Sequence, residues 1–238
     1  CSGESFTIAD KNEVWIMELI GKGKDEMGAV WVARRMPDDM ISAHANHSRI
    51  RQFPLKDKEN CLYSKDVISF ARKKGYFTGK DKDFSFSEAY APIDFGAKRY
   101  CEARVWSFFN KWAAEDMKPY LPYAMGEDVN PETKQPIDGI PHEMPLWVKP
   151  KQFLSTQDVK DMMRDHYEGT PMDITEGLGS LPWNMPYRVT PLSYKVDGKE
   201  YFNERPISTF QTAFTFVAQL RSWLPDAIGG VMWFGTDD

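Results

Sequence analysis

Cysteine is scarce in this chain: there are three in 238 residues, Cys1, Cys61 and Cys101, none of them in CxxC spacing. An odd and sparse set argues against a disulfide framework and against a cysteine-based zinc site. An excess of basic residues is missing as well, with 30 Lys and Arg against 35 Asp and Glu and a net charge of -5. Binding to nucleic acid draws on a basic face that releases counterions, so nucleic acid is not an expected partner. No run approaches the roughly 20 apolar residues of a membrane span. The most apolar segments carry Glu18 or run into Gly235-Thr236-Asp237-Asp238. Cys1-Ser2-Gly3-Glu4 has neither the basic head nor the apolar middle of a signal peptide. The late strand-like run Val231 to Thr236 stops two residues before the last one, which reads as the edge of a piece of a longer protein. Gly21-Lys22-Gly23-Lys24 lacks the phosphate-loop spacing, and His44 and His47 stand three apart rather than in HExxH. Neither a cofactor nor a metal is expected.

What is present is a globular composition, 42% apolar and 14% aromatic, long enough to bury a substantial core. Val14 to Ile20 and Ala29 to Ala33 are short runs of β-branched and aromatic residues joined by the turn-rich stretch Gly21 to Gly28, and they read as a hairpin. Within the first run Trp15 and Met17 face one side while Val14, Ile16 and Glu18 face the other. Apolar groups on both sides predict a sheet covered on both faces. A third run, Met40 to Ala43, delivers the polar cluster His44 to Arg49 to a strand end, where loops hold chemistry against a cleft.

Further along, Lys65 to Lys74 reads as a helix with Ser64 as N-cap and Gly75 as its stop. Gly79 to Pro92 reads as loop. Val105, Phe108, Phe109 and Trp112 make one stripe of a helix over Arg99 to Met117, ended by Pro119. Pro119 to Pro150 is rich in Pro, Gly and Asp and predicts an irregular excursion. A helix from Thr156 to Tyr167 with Ser155 or Thr156 as N-cap closes at Gly169. Ile228 to Phe234 reads as a strand, whereas Thr209 to Leu220 fits a helix or a long strand. The chain thus divides into a sheet-rich core over 1–90, helices and long loops over 91–185, and a return to the core over 186–238.

Several residues could carry chemistry. An N-terminal cysteine can attack with its own α-amine as base, which makes Cys1 a candidate nucleophile. The Asn46 amide can donate to a developing oxyanion, a contribution of about 3 to 4 kcal/mol, or can serve its own turn. Arg205 and Arg221 lie beside core-like runs, where arginine forms an ion pair or grips a carboxylate with its fork. Asp38-Asp39 and Asp237-Asp238 read as solvated turn carboxylates, and Asn46-His47-Ser48 fits a glycosylation sequon. The loop Leu181 to Tyr187, with Trp183, would suit a stacking platform in a carbohydrate- or peptide-binding module.

Six segments, GESFTIAD (3–10), EVWIMELIGKG (13–23), GAVWVARRMPDD (28–39), ISAHANHSRI (41–50), FNERPIST (202–209) and QLRSWLPDAIGGVMWFG (219–235), together resemble the cysteine dipeptidases of the N-terminal nucleophile (Ntn) hydrolases, the dipeptidase A type. The resemblance covers almost the whole chain. It implies an α+β fold, an αββα sandwich of two stacked antiparallel sheets between helices, here incomplete, and hydrolysis of dipeptide substrates through a cysteine thioester. In that family the nucleophile lies well upstream of the GESF segment. Cys1 then corresponds to an interior residue, and the chain as it stands is expected to be inactive. The resemblance puts Asn46 at the oxyanion position and Arg205 where an arginine supports the nucleophile. An amidase or acyltransferase on the same fold is the alternative within the class. Dipeptide specificity, compartment and oligomeric state, a homo-oligomer included, are left open by the sequence.

Overall fold

The computed structural model describes residues 3–177, 180, 183–185 and 193–236, and these form an α+β fold. Strands β1 (Gly3–Ala9), β2 (Val14–Gly21) and β3 (Ala29–Arg35) make an antiparallel meander. Asp10 closes its first turn, its Oδ1 accepting the backbone N–H groups of Asn12 and Glu13 at 2.7 and 2.9 Å. Such a side-chain turn needs no glycine. The second turn does use glycine, at Gly23 and Gly28 with φ of 91° and 97°. After the two-residue strand β4 (Ile41–Ser42), β5 (Cys61–Tyr63) adds to β3, giving the order β1-β2-β3-β5.

The period of two in β2 is fully expressed. Ile16, Glu18 and Ile20 are buried, while Trp15, Met17 and Leu19 are half-buried. Register sets Ile20 against Val30 and Glu18 against Val32, so Glu18 stands as a carboxylate among aliphatic neighbours of β2 and β3 on the inner face. Helices α1 (Val67–Lys74) and α2 (Phe86–Tyr90) supply Val67, Phe70, Ala71, Phe86 and Tyr90 to the same core. Val67, Phe70 and Phe86 each contribute about 1.5 to 3 kcal/mol on burial. Coverage of the other face is not complete: Phe6 and Ile8 on β1 remain 48% and 53% exposed.

Two expectations are corrected in this region. Ser64 does not cap α1; its Oγ accepts the Trp31 N–H at 3.2 Å, tying the helix entry to β3, and Asp66 takes the cap position without a side-chain bond. Gly75 ends the helix in the left-handed conformation as expected. Gly79 to Pro92 is not only loop, because a 3₁₀ turn at Asp81–Asp83 and α2 fall inside it. Phe84, Phe86 and Tyr90 drive that turn inward, and five helical residues are too few to show a period.

Helical structure in the middle of the chain begins before Arg99. It runs through α3 (Phe95–Ala97), a π-helical turn at Lys98–Glu102 and α4 (Ala103–Met117). Pro119 does not end it, because a 3₁₀ turn at Lys118–Tyr120 leads into α5 (Leu121–Ala124), with each proline in a first turn where its missing N–H costs nothing. Val105, Phe109 and Trp112 of the expected stripe are buried, whereas Phe108 is partly so. The excursion after α5 is irregular as expected, apart from β6 (Trp147–Val148), which pairs with β4.

α6 (Thr156–Met163) carries a capping box: Ser155 Oγ accepts the Asp158 N–H at 3.2 Å and Asp158 Oδ2 accepts the Ser155 N–H at 2.7 Å. It stops short of Tyr167, whose φ of 67° lies outside any right-handed helix. β7 (Ser193–Val196) and β8 (Lys199–Phe202) form a hairpin. The ambiguous stretch from Thr209 resolves as strand β9 (Thr215–Leu220), paired through the short α7 (Asp226–Gly229) with β10 (Gly230–Gly235). Among the described residues no helix is long and apolar enough to cross a membrane.

Candidate active site

β1 opens a cleft by running out of bulk. Its inner positions Gly3, Ser5 and Thr7 stand opposite Ile20, Glu18 and Ile16, and their small side chains leave space that larger ones would fill. Against them lie His44, Ala45, Asn46 and Arg104, enclosing about 320 Å³. A second hollow of about 290 Å³ shares Gly3, Glu4, Ser5 and Asn46 and reaches His47, Tyr90 and Asp94. Each volume suits a small ligand.

Asn46 borders both hollows. It is exposed at the mouth, with a left-handed φ of 59° that asparagine tolerates better than most residues. Arg104 donates from Nη2 to Asn46 Oδ1 at 2.9 Å. A guanidinium has no acceptor, so only the amide oxygen can receive it, and the orientation of the amide follows. The Asn46 Nδ2 donor has no partner among the described residues.

The loop that presents Asn46 is clamped from below by Glu18. This carboxylate is fully buried, and a buried charge persists only when its lone pairs are met. Oε1 accepts the Arg49 N–H at 2.6 Å and lies 2.9 Å from His44 Nε2, and both oxygens lie 3.1 Å from the Ile50 N. Arg49 in turn pairs with Glu102 at 2.9 Å and donates to the carbonyls of Ala43 and Pro145 at 3.1 and 2.8 Å. The loop is thus fixed at residues 43, 44, 49 and 50 while Asn46 faces the opening. Glu18, Arg49, Glu102 and Arg104 were not among the sequence candidates.

Burial pushes the His47 imidazole below its ordinary value; Glu102, Glu18 and Asp94 pull it upward, and Arg49 adds to the depression. His47 is therefore a neutral group at neutral pH. The Cys61 thiol is pushed up to about 11 by burial. Burial also raises Cys101, against the opposing pull of Arg104. Neither is an activated thiolate. Cys1 lies outside the described residues.

A family model described as peptidase family C69 matches residues 1–238. The chain belongs to peptidase family C69. It is similar to a probable dipeptidase of Salmonella dublin, 28% identical over 233 residues, which are 97% of this chain and 43% of that protein. A probable dipeptidase of Latilactobacillus sakei is 25% identical over 98% of this chain and 40% of its own length. Dipeptidase A of Lactobacillus helveticus is 25% identical over 96% and 39% respectively. The chain spans about two fifths of the length of these curated relatives.

Within this C69 chain the remaining candidates separate. Arg221 is structural, its guanidinium donating to the carbonyls of Gly229 and Ile228 at 3.2 and 2.7 Å. Arg205 is half-buried, and its guanidinium has no hydrogen bond or ion pair among the described residues. Asp39 pairs with Lys149 at 2.7 Å and Lys22 with Asp66 at 2.5 Å, so both turns are tied up in surface ion pairs. Asp237 and Asp238 lie outside the described residues, as do Leu181, Pro182, Pro186 and Tyr187 of the proposed stacking loop. Trp183 itself is 90% exposed.

Among the described residues no three His, Cys, Asp or Glu side chains assemble to hold a metal. His166 stands between Ser208 Oγ, 2.9 Å from its Nε2, and Glu168 Oε1, 3.0 Å from its Nδ1. That connectivity matches an activated serine, but Ser208 is 1% exposed and out of a substrate's reach. The cluster staples the 208 segment to the end of α6.

Proposed function

We propose that this chain supplies the oxyanion-binding wall of a dipeptidase, with Asn46 as the donor. The observation that carries the reading is the Asn46 amide at the cleft mouth, its oxygen held by Arg104 and its Nδ2 left to donate. C69 membership and relatives described as dipeptidases support the substrate class. In this reading the fold is part of an Ntn-type αββα sandwich, and the partly exposed Phe6–Ile8 face of the four-stranded sheet is where a second sheet would stack.

The chemistry is acyl transfer through a thioester. An N-terminal cysteine, contributed by a stretch of the longer protein, attacks the peptide carbonyl, and its thiol proton passes by way of its α-amine to the leaving amine. The carbonyl oxygen becomes an oxyanion that accepts from Asn46 Nδ2. Water then cleaves the thioester and restores the thiol. The raised thiols of Cys61 and Cys101 support a nucleophile outside this set, and Cys1 is read as an interior residue. The 238-residue chain alone is accordingly inactive. Turnover of a dipeptide by it, abolished by Cys1→Ala, would overturn that part.

The decisive experiment is steady-state kinetics on the longer protein with Asn46→Gly. Loss of one oxyanion donor lowers kcat by about 10²- to 10³-fold with little change in KM. An unchanged kcat removes Asn46 from the mechanism.

A further inference from the structure

Glu18 holds a side chain of the cleft as well as the backbone of the loop. His44 follows β4 by two residues, and its Nε2 lies 2.9 Å from Glu18 Oε1. The other bonds of that carboxylate come from the Arg49 and Ile50 N–H groups, which can only donate. Glu18 is therefore the acceptor throughout, and the hydrogen between the two side chains belongs to the ring. Nε2 carries it, which leaves Nδ1 as the bare nitrogen of a neutral imidazole. Nδ1 has no hydrogen-bond partner among the described residues and is not sealed from solvent.

His44 lines the 320 Å³ cleft together with Asn46. Standing two positions apart in the chain, their Cα atoms lie within about 7 Å of one another. An amide donor and a basic nitrogen thus border one cavity. The charged groups around the ring are Glu18 of β2, in contact with it, and Glu4 of β1 and Arg104 of α4, which border the same space. Among the described residues Glu18 has no lysine or arginine partner, and His44 is the base it faces. With the two side chains 11% and 0% exposed, a carboxylate at 2.9 Å stabilises an imidazolium as it forms.

We propose that His44 is the base that activates water in the second half of the reaction, with Glu18 as the residue that positions it; this rests on the peptidase reading. At that stage the acyl group is a thioester on the cysteine, its carbonyl oxygen at Asn46 Nδ2. A water between that carbonyl and His44 gives a proton to Nδ1 as its oxygen bonds to the carbonyl carbon. The C–S bond then breaks, its electron pair leaves on sulfur, and the imidazolium passes the proton to the thiolate. The acid product ionises into solvent. His44 ends neutral, and Glu18 stays ionised throughout. One buried carboxylate in this way fixes both the loop that carries Asn46 and the tautomer of the base beside it.

The test is His44→Gln in the longer protein. The new amide can still donate to Glu18, which keeps the clamp, but it has no basic nitrogen. Loss of a general base slows the water step by about 10²- to 10⁴-fold. That step is then expected to limit turnover of alanyl-alanine: kcat and KM fall together at an unchanged kcat/KM, and mass spectrometry finds the protein heavier by one alanyl group. Hydroxylamine attacks a thioester without a base, so it is expected to restore turnover by releasing the alanyl hydroxamate. A variant with the wild-type kcat leaves the water to the cysteine's own α-amine and overturns the assignment alone. A kcat/KM that falls with no acyl-enzyme present makes His44 structural and also overturns it. A wild-type protein that cleaves no dipeptide overturns the peptidase reading and the base with it. Where a lowered urea midpoint shows that the variant folds poorly, nitrogen-15 spectra of the wild-type histidines in the 238-residue chain decide. At neutral pH the His44 proton is expected on Nε2, and a proton on Nδ1 overturns the assignment.

Discussion

Glu18 Oε1 accepts the backbone N–H of Arg49 at 2.6 Å, across 31 residues of sequence. One carboxylate on the inner face of a strand therefore positions the loop that carries Asn46. It does so at four contacts: Arg49 N, two to Ile50 N, and His44.

Glu18→Gln tests the clamp. An amide can keep its oxygen where Oε1 meets Arg49, Ile50 and His44, but then sets an NH2 donor in place of Oε2 against the Ile50 N–H, leaving a buried donor unmet at a cost of about 1 to 3 kcal/mol. The expected outcome is a lower urea midpoint with an unchanged slope. The Asn46 and His47 amide resonances are expected to shift, while those of α6 stay in place. A midpoint within error of the wild type would mean that the loop holds itself.

The Arg49–Glu102 pair allows a sharper comparison, because both side chains are almost completely buried. Glu102→Ala leaves a buried guanidinium uncompensated and should cost about 3 to 5 kcal/mol, whereas Glu102→Gln, which still accepts, should cost clearly less. Adding Arg49→Met to Glu102→Ala should recover part of the loss, but not all, since the carbonyls of Ala43 and Pro145 lose their donor. Denaturation of these three variants and of Arg49→Met alone checks the order. Strict additivity of the two single changes would show that the pair is not coupled.

His47 makes stability depend on pH. Its folded pKa lies below the ordinary 6.5 because burial disfavours the imidazolium. Below pH 6.5 the unfolded chain therefore binds more protons than the folded one. Its contribution is fully present above 6.5 and is lost as pH falls from there toward the folded pKa. Urea midpoints between pH 7.5 and 5.5 should fall in the wild type and fall less steeply in His47→Asn. Identical slopes would place the titration elsewhere.

The sheet was legible in the sequence because its signal is local. Alternation along Val14 to Ile20 and the glycines flanking the next turn together dictate the meander, and both are read within eight residues. Asn46 stood out in the sequence as an amide beyond a strand end and through the family resemblance, whereas its left-handed φ of 59° became visible only in the fold. Glu18 was not legible. In the sequence it is a charge that interrupts an apolar run, and its meaning comes from amides 31 and 32 residues away. Arg104 was hidden because the stretch around it was read for its apolar stripe, while its own role depends on Asn46, 58 residues earlier. The short helix α2 and the continuation through Pro119 fell below the length at which a period of 3.6 can be seen.

The backbone of Asn46 decides which substitution is informative there. At φ 59° an alanine meets the steric cost of the left-handed region, about 1 to 2 kcal/mol, which glycine does not. Asn46→Ala should therefore be destabilised by about 1 kcal/mol. Asn46→Gly should stay within about 0.5 kcal/mol of wild type despite losing the same contact to Arg104, since that contact is exposed. Urea midpoints of the two variants in the 238-residue chain check the difference. If the glycine variant falls more than about 1 kcal/mol below wild type, the Arg104 contact matters to the fold, and Asn46 is then a structural latch. If the glycine variant stays near wild type and only the alanine variant falls, the amide is dispensable to the fold, and a fall in turnover for Asn46→Gly in the longer protein reports on the chemistry alone.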